Sequence, residues 1–103
     1  MDQTAITARA LAALGHEARL SVYRLLVRAG DDGLIVGDIA GHTDLPLSTL
    51  AHHLRQLVSA GLVVQEKRGR EVVNRVDFMV MNQTLRFLTE ECCQGVALKE
   101  AAA

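Results

Sequence analysis

The chain has 103 residues, of which half are hydrophobic and only 3% aromatic, and its formal net charge is −1. This length predicts one domain over residues 1–103 with a small aliphatic core, to which a second copy would add buried surface. We expect neither a signal peptide nor a membrane span, because no basic segment precedes an apolar run at residues 1–10 and no apolar stretch approaches about 18 residues. Two cysteines exclude a disulfide scaffold, and the cytoplasm is the simplest location.

The first part of the chain predicts three helices separated by short breaks. Residues 3–14 are rich in alanine, and a Gly-His pair ends the run. Residues 17–29 carry apolar side chains at the spacing of one helix face. A turn cluster at 29–34 then precedes a short helix at about 36–42.

Residues 47–60 have the clearest helical pattern in the chain. Pro46 suits the start of a helix, and Gly61 suits its end. Apolar residues recur on one side while polar residues occupy the rest of the circumference. The predicted buried face consists of Leu47, Leu50, Leu54, Leu57 and Val58.

The last part predicts a β-hairpin and a final helix. The β-rich runs 62–67 and 71–78 flank the sequence Arg-Gly-Arg at 68–70, which indicates a hairpin with a basic tip. The final helix is predicted over about 79–94, and its apolar stripe consists of Met81, Leu85, Leu88 and Cys92. The predicted fold is mainly α with a β-hairpin wing, a winged helix-turn-helix in the order ααααββα.

Charge is unevenly distributed along the chain. Residues 46–76 carry five basic and two acidic residues, a net charge of +3, whereas the remainder carries six basic and ten acidic residues, a net charge of −4. A basic region within an acidic protein is typical of a nucleic-acid-binding surface.

The predicted helix 47–60 and the hairpin tip carry the candidate DNA-binding residues. A recognition helix needs an apolar side that seats it and a polar side that meets base edges and phosphates. Hydroxyls in its first turn can reach phosphate, imidazole and guanidinium groups can donate to guanine, and basic residues of a wing can follow the backbone. Taken singly, such residues are more often helix caps or solvated surface, and their order along the chain is what favours DNA binding. The candidates are Ser48, Thr49, His52, His53, Arg55, Lys67, Arg68 and Arg70.

Two stretches resemble the ArsR/SmtB family of winged-helix repressors. Residues 48–76, STLAHHLRQLVSAGLVVQEKRGREVVNRV, are similar to the family's recognition helix and charged wing, which typically begin S-x-HL-x-x-L-x-x-AGLV. Residues 13–26, ALGHEARLSVYRLL, resemble its second helix, and the likeness extends over about 10–93. Ala51 stands where the family often has serine. The resemblance implies a homodimer built on the first and last helices, which needs no cofactor to bind double-stranded operator DNA and releases it when an inducer binds.

The resemblance also narrows the inducer site. Ile35 and Gly37 stand where some arsenic-responsive members have a C-x-C pair, so that site is absent. The predicted last helix has no histidine, and Asp77 alone cannot complete a zinc site. The four histidines of the chain show no metal-binding spacing. These exclusions leave Cys92 and Cys93 as the candidate ligands.

Two adjacent thiols suit a soft ion such as trivalent arsenic or antimony. Some arsenic-responsive members of the family carry such a pair at the end of the last helix, often with a third cysteine that residues 94–103 lack. Solvent, a small thiol, a partner group or a carbon already bound to arsenic could take the third position. A trivalent methyl- or phenyl-arsenical, which needs only two sulfurs, is therefore a candidate. The structural alternative is that Cys92 is simply a small buried residue.

The position of Cys92 and Cys93 at the end of the predicted helix affects their expected chemistry. We expect a helix to oppose a disulfide between neighbours, and the helix C-terminus with Glu90 and Glu91 to disfavour a thiolate. Ion binding is expected to distort the last turn of the helix and so to change the spacing of two recognition helices.

Other functions remain open at this point. The same repressor could sense reactive sulfur, an oxidant or a soft metal such as cadmium. The domain could also be a winged-helix protein-interaction module without a DNA target. We do not expect an enzyme, because the sequence has no nucleophile–base set, Gly-rich phosphate loop or paired carboxylates.

Overall fold

The computed structural model describes residues 1–99, so the end of the domain predicted over 1–103 lies outside the described residues. A single-turn 3-10 helix at Gly30–Asp32 joins α2 to β1. The other elements are α1 (Gln3–Leu14), α2 (Glu17–Ala29), β1 (Leu34–Ile35), α3 (Val36–Thr43), α4 (Leu47–Ser59), β2 (Val63–Arg68), β3 (Glu71–Val76) and α5 (Phe78–Thr89). No helix among residues 1–99 has the length and apolar character needed to cross a membrane.

The predicted winged helix-turn-helix is confirmed, and local chemistry explains where its helices begin and end. Asp2 caps α1, since its Oδ1 accepts a hydrogen bond from the N–H of Ala5 at 2.9 Å. Asp44 ends α3 in the left-handed conformation, with φ of 56°. Pro46 immediately precedes α4, where a residue without an N–H costs no helical hydrogen bond.

The sheet has one strand more than the sequence predicted. The extra strand, β1, consists of the last residue of the predicted turn 29–34 and the next residue. β1 pairs antiparallel with β3, so the sheet order is β1-β3-β2. Gly33 precedes β1 with φ of 64°, and any Cβ there would collide with the carbonyl oxygen of Asn74. The buried Asn74 amide donates to the carbonyl of Leu34 at 3.2 Å and accepts from the Gln65 amide at 2.8 Å. These bonds join all three strands.

The core is aliphatic, as predicted, and α4 contributes the buried Leu50, Leu54 and Leu57 to it. The core includes buried side chains from each of the helices α1 to α4 and from the sheet. The largest fully buried apolar residues are Val22, Leu26, Ile39, Leu50, Leu54, Leu57, Leu62 and Val63.

Two residues of the predicted buried face of α4 lie outside the core. Leu47 is 63% exposed and Val58 is 36% exposed. Both lie on the border of the apolar side, and the buried part of that side is formed by Leu50, Leu54 and Leu57. The prediction was therefore wrong for these two positions.

The final helix is shorter than predicted, because α5 ends at Thr89 and not at 94. Glu90 leaves the helical region with ψ of 140°, and Glu91 follows with φ of 62°. Two consecutive carboxylates are unfavourable at the negative end of a helix dipole. Every residue from 88 to 99 is exposed, so no tertiary contact offsets that penalty.

Candidate DNA-binding surface and thiol pair

The N-terminus of α4 presents uncapped backbone donors to solvent. Pro46 is the residue before the helix and makes no side-chain cap, and Ser48 and Thr49 follow two and three residues later, inside the first turn. Both side chains are exposed, and these hydroxyls are not the helix cap, because the N-cap position is that of Pro46. Uncapped N–H groups at a helix N-terminus favour an anion such as a DNA phosphate.

One side of α4 is polar and open to solvent along its length. Ser48, His52 and Arg55 are all exposed, and their spacing of four and three residues places them along one side. Within residues 1–99, no carboxylate oxygen lies within 4.0 Å of the Arg55 guanidinium. This side of the helix has the hydrogen-bonding groups that base edges and phosphates require.

His53 does not belong to this surface, which corrects its assignment as a DNA-binding residue. It is only 5% exposed, and its ring lies 4.8 Å from the ring of His16, centroid to centroid. Its Nδ1 has no hydrogen-bond partner among residues 1–99. Burial, followed by the positive potential of His16, Arg19 and His52, lowers the pKa of His53 below its usual 6.5. Its position three residues after Leu50, on the same helix face, was the sequence signal that we missed.

The wing has less free positive charge than its composition indicates. Gly69 and Arg70 form the turn between β2 and β3, with φ of 61° at the glycine. The Glu66 carboxylate contacts the guanidinium of Arg68 at 3.2 Å and that of Arg75 at 3.4 Å. Lys67 and Arg70 are exposed and have no carboxylate within 4.0 Å among residues 1–99, so the free positive charge lies at these two residues.

A second surface, on α1 and α5, is apolar and uncovered. α1 packs against α5, and both helices expose large side chains. Leu85 is 58% exposed and Leu88 55% exposed. On α1, the large apolar side chains of Ile6 and Leu11 are also exposed. A cluster of exposed apolar residues of this kind is typical of a protein–protein interface.

Cys92 and Cys93 lie in the turn that follows α5, and not on the helix as predicted. Both thiols are exposed, and their Sγ atoms are 3.0 Å apart. The N–H of Cys92 donates to the carbonyl of Thr89 at 3.2 Å, and Cys93 has φ of 67°. No element of the same chain buries Cys92, so the alternative of a small buried residue would require a second copy to cover it. Because the pair is outside the helix, helical geometry does not keep the two sulfurs apart.

The environment of Cys92 disfavours its thiolate, as predicted, but for another reason. The hydrogen bond with the Cys93 thiol is the main cause that raises the pKa of Cys92, and slight desolvation is the second. Within residues 1–99, no group of three or more His, Cys, Asp or Glu side chains is arranged to hold a metal ion. The described part of the chain therefore supplies two sulfur ligands and no third.

Comparison with known proteins places this geometry in a family. A family model described as a helix-turn-helix domain matches residues 14–66. A relative from Halobacterium salinarum, provisionally named arsenical resistance operon repressor ArsR, is 38% identical over 60 residues. The match covers 58% of this chain and 46% of that relative, so the chain spans about half the length of the curated relative it matches.

Solved structures have the same fold. An ArsR-like transcriptional regulator from Rhodococcus sp. RHA1 is 28% identical, covers 88% of this chain and 83% of its own, and superposes with a TM-score of 0.78. A structure described as a possible transcriptional regulator for arsenical resistance is also 28% identical, with 76% and 78% of the two chains covered and a TM-score of 0.66. The family and the fold are those of DNA-binding transcriptional regulators and not of enzymes. The chain therefore belongs to the helix-turn-helix domain family, and its winged-helix fold is similar to that of an ArsR-like transcriptional regulator.

Proposed function

We propose that the chain is a transcriptional repressor that binds double-stranded operator DNA as a homodimer and releases it when trivalent arsenic or antimony binds Cys92 and Cys93. The observation that carries the DNA-binding part is the exposed polar side of α4, which holds Ser48, His52 and Arg55 beside a basic wing. The two similar proteins with arsenical resistance in their descriptions support the choice of inducer.

The homodimer part rests on the apolar surface of α1 and α5. A second copy that covered Leu85 and Leu88 would remove the exposed half of each side chain from water, which is worth about half of the roughly 1.5–3 kcal/mol for burying a whole leucine. An isologous contact of this kind relates two copies by a twofold axis. Two recognition helices would then lie about 34–36 Å apart, one turn of DNA.

Cys92 and Cys93 suit a soft, trivalent ion for three reasons. Their Sγ atoms are close enough to grip one atom together, both are accessible from solvent, and thiolates are the ligands that soft ions prefer. As each sulfur bonds to arsenic or antimony, a bond from that atom to a hydroxyl group breaks, and the hydroxyl leaves as water with the thiol proton. Because the pKa of Cys92 is raised, ligation itself has to supply the energy for this step.

The position of the pair changes the expected mechanism. Ligation cannot unwind the last turn of α5, since both cysteines lie beyond Thr89. It would instead fix the conformation of the turn 90–93, which the Cys92 N–H ties to the carbonyl of Thr89. Leu88 of the proposed dimer surface immediately precedes that residue, so the ion would act on the dimer contact from its edge.

The DNA-binding part predicts a specific dependence on salt. Lys67→Ala and Arg70→Ala should each reduce the slope of log affinity against log salt by roughly 1, because each removes one free charge from the wing. Arg68→Ala should reduce it less, since Arg68 shares Glu66 with Arg75. Fluorescence anisotropy on DNA from upstream of the gene, at several salt concentrations, measures the slopes. Binding that does not weaken as salt rises would instead indicate a protein-interaction module.

The inducer is tested by a mobility shift on the same DNA, titrated in parallel with arsenite, antimonite and methylarsenite. We expect release of the wild-type protein, and no release of Cys92→Ser or Cys93→Ser at the same concentrations. Gln94→Ala, a change at an exposed neighbour, is the control and should respond as the wild type does. Release of Cys92→Ser by arsenite would contradict the proposal. Mass spectrometry after treatment with polysulfide, peroxide or cadmium separates the alternative signals from arsenic.

A further inference from the structure

A cleft on the far side of the helix-turn-helix has no role in the proposed function. It lies between α2 and the C-terminal end of α3, and its volume is about 570 Å³. Small-molecule sites typically measure about 300–1,000 Å³. No residue of α4, of the wing or of the thiol pair lines this cleft, which we call the α2–α3 cleft.

One part of the lining is apolar and meets solvent. Leu20 on α2 is 41% exposed, although it lies in the middle of a helix whose other side is in the core. Leu25 and Leu45 are half-buried and also line the cleft. An occupant that covered these leucines with an apolar body would remove their surface from water.

The other part of the lining is cationic. Arg24 and Arg28 are exposed and lie one turn apart on α2, and His42 faces the cleft from the end of α3. Within residues 1–99, no carboxylate oxygen lies within 4.0 Å of either guanidinium. A pair of free guanidinium groups matches a carboxylate, which can accept hydrogen bonds from the arginine fork in pairs.

Charge is arranged along the cleft so that one end accepts an anion and the other rejects it. Glu17 lines the end of the cleft near the start of α2, and Arg28 lines the other end. These residues are about 16 Å apart along the helix axis at 1.5 Å per residue. A molecule with one anionic group and an apolar body fits this arrangement better than a molecule with an anion at each end.

We propose that the α2–α3 cleft binds a small organic anion with a single carboxylate and an apolar body, such as a medium-chain fatty acid. Arg24 and Arg28 hold the carboxylate, and Leu20 packs against the hydrocarbon tail of the ligand. Thr43 is the last residue of α3, and Leu45 belongs to the turn that connects α3 to α4. An occupant of the cleft therefore contacts the turn that orients the recognition helix.

The test is calorimetric titration of the full chain with octanoate, in the absence of DNA and arsenic. Its outcome is therefore independent of the proposed repressor function. We expect saturable binding of octanoate, with acetate, octylamine and inorganic phosphate each binding roughly ten-fold more weakly or not at all. Acetate lacks the apolar body, and octylamine has the wrong charge. Phosphate is an anion without a carboxylate or an apolar body.

Two double variants complete the test. Arg24→Ala with Arg28→Ala should weaken octanoate binding by roughly ten-fold or more. Lys67→Ala with Arg70→Ala removes the same charge from the distant wing and should leave octanoate binding unchanged. Circular dichroism checks that the variants are folded, and Leu20→Lys provides a second loss of binding that keeps both arginines. Octanoate binding no tighter than phosphate, or equal binding by the cleft variant and the wing control, would overturn the proposal.

Discussion

The recognition helix α4 and the final helix α5 carry the same kind of pattern, but their apolar faces have different environments. In α4, Leu50, Leu54 and Leu57 are at most 2% exposed, whereas in α5 Leu85 and Leu88 are more than half exposed. α4 packs against three helices and a strand, while the main packing partner of α5 is α1. Leucines at helical spacing therefore identify a face that needs a partner, and they do not say whether the same chain provides it.

The largest expected effect tests the covered face. Leu54→Ala should lower the free energy of unfolding by about 2–5 kcal/mol, since it leaves a cavity in the middle of the core. Leu47→Ala is the matched control on the same helix and should cost far less, because Leu47 is 63% exposed. Urea denaturation followed by circular dichroism measures both. Equal losses would mean that the two sides of α4 do not differ in packing as described.

The next effect tests the uncovered face. Leu85→Glu should weaken self-association by roughly 2 kcal/mol or more, because it would bury an unpaired charge in the proposed dimer contact. Gln83→Glu adds the same charge to an exposed position on the opposite side of α5 and should leave association unchanged. Sedimentation velocity over a range of protein concentrations measures the dimer. If both variants associate like the wild type, the apolar face of α5 is not the dimer interface.

The smallest expected effect concerns the one histidine in the covered face of α4. Because the folded protein lowers the pKa of His53 below its usual 6.5, the unfolded chain takes up a proton that the folded chain resists. Stability should therefore be fully present above that value and should decline as the pH falls below it. No acidic side chain is among the causes of the shift, which are burial, His16, Arg19 and His52.

Thermal unfolding between about pH 7.5 and pH 5.5 measures this decline. His53→Leu should flatten the dependence on pH, because it removes the buried group that resists protonation. His52→Gln changes the exposed neighbour and should retain most of the dependence. A wild-type protein whose melting temperature does not fall in this range would contradict the assignment of His53 as a buried, neutral residue.

Local patterns predicted most of the fold. The boundaries of α1 to α4 and of the hairpin followed from glycine, proline and helical spacing, and each needs only residues close in sequence. The strand β1 could not be predicted this way. Its two residues have no periodicity, and its pairing depends on the approach of Gly33 to Asn74, forty-one positions later in the chain.

In the candidate site too, some properties follow from the local sequence and others depend on contacts between distant segments. The exposed positions of Ser48, Thr49, His52, Arg55, Lys67, Arg68 and Arg70 agree with the polar pattern of the sequence, and their roles in binding DNA remain predictions. The burial of His53 depends on the approach of His16, which immediately precedes α2. The neutralising contacts of Glu66 likewise depend on the register that places Arg75 on the neighbouring strand.

The sequence by itself determined the order of elements, the polar side of the recognition helix and the presence of two adjacent thiols. Periodicity and residue chemistry are properties of one segment, so one segment is enough to state them. The tertiary structure decided that His53 is buried, that α5 stops at Thr89, and that Cys92 and Cys93 lie together in an exposed turn. Each of these outcomes depends on whether another element is present to cover a surface or to extend a helix. Only the packing of distant segments settles that.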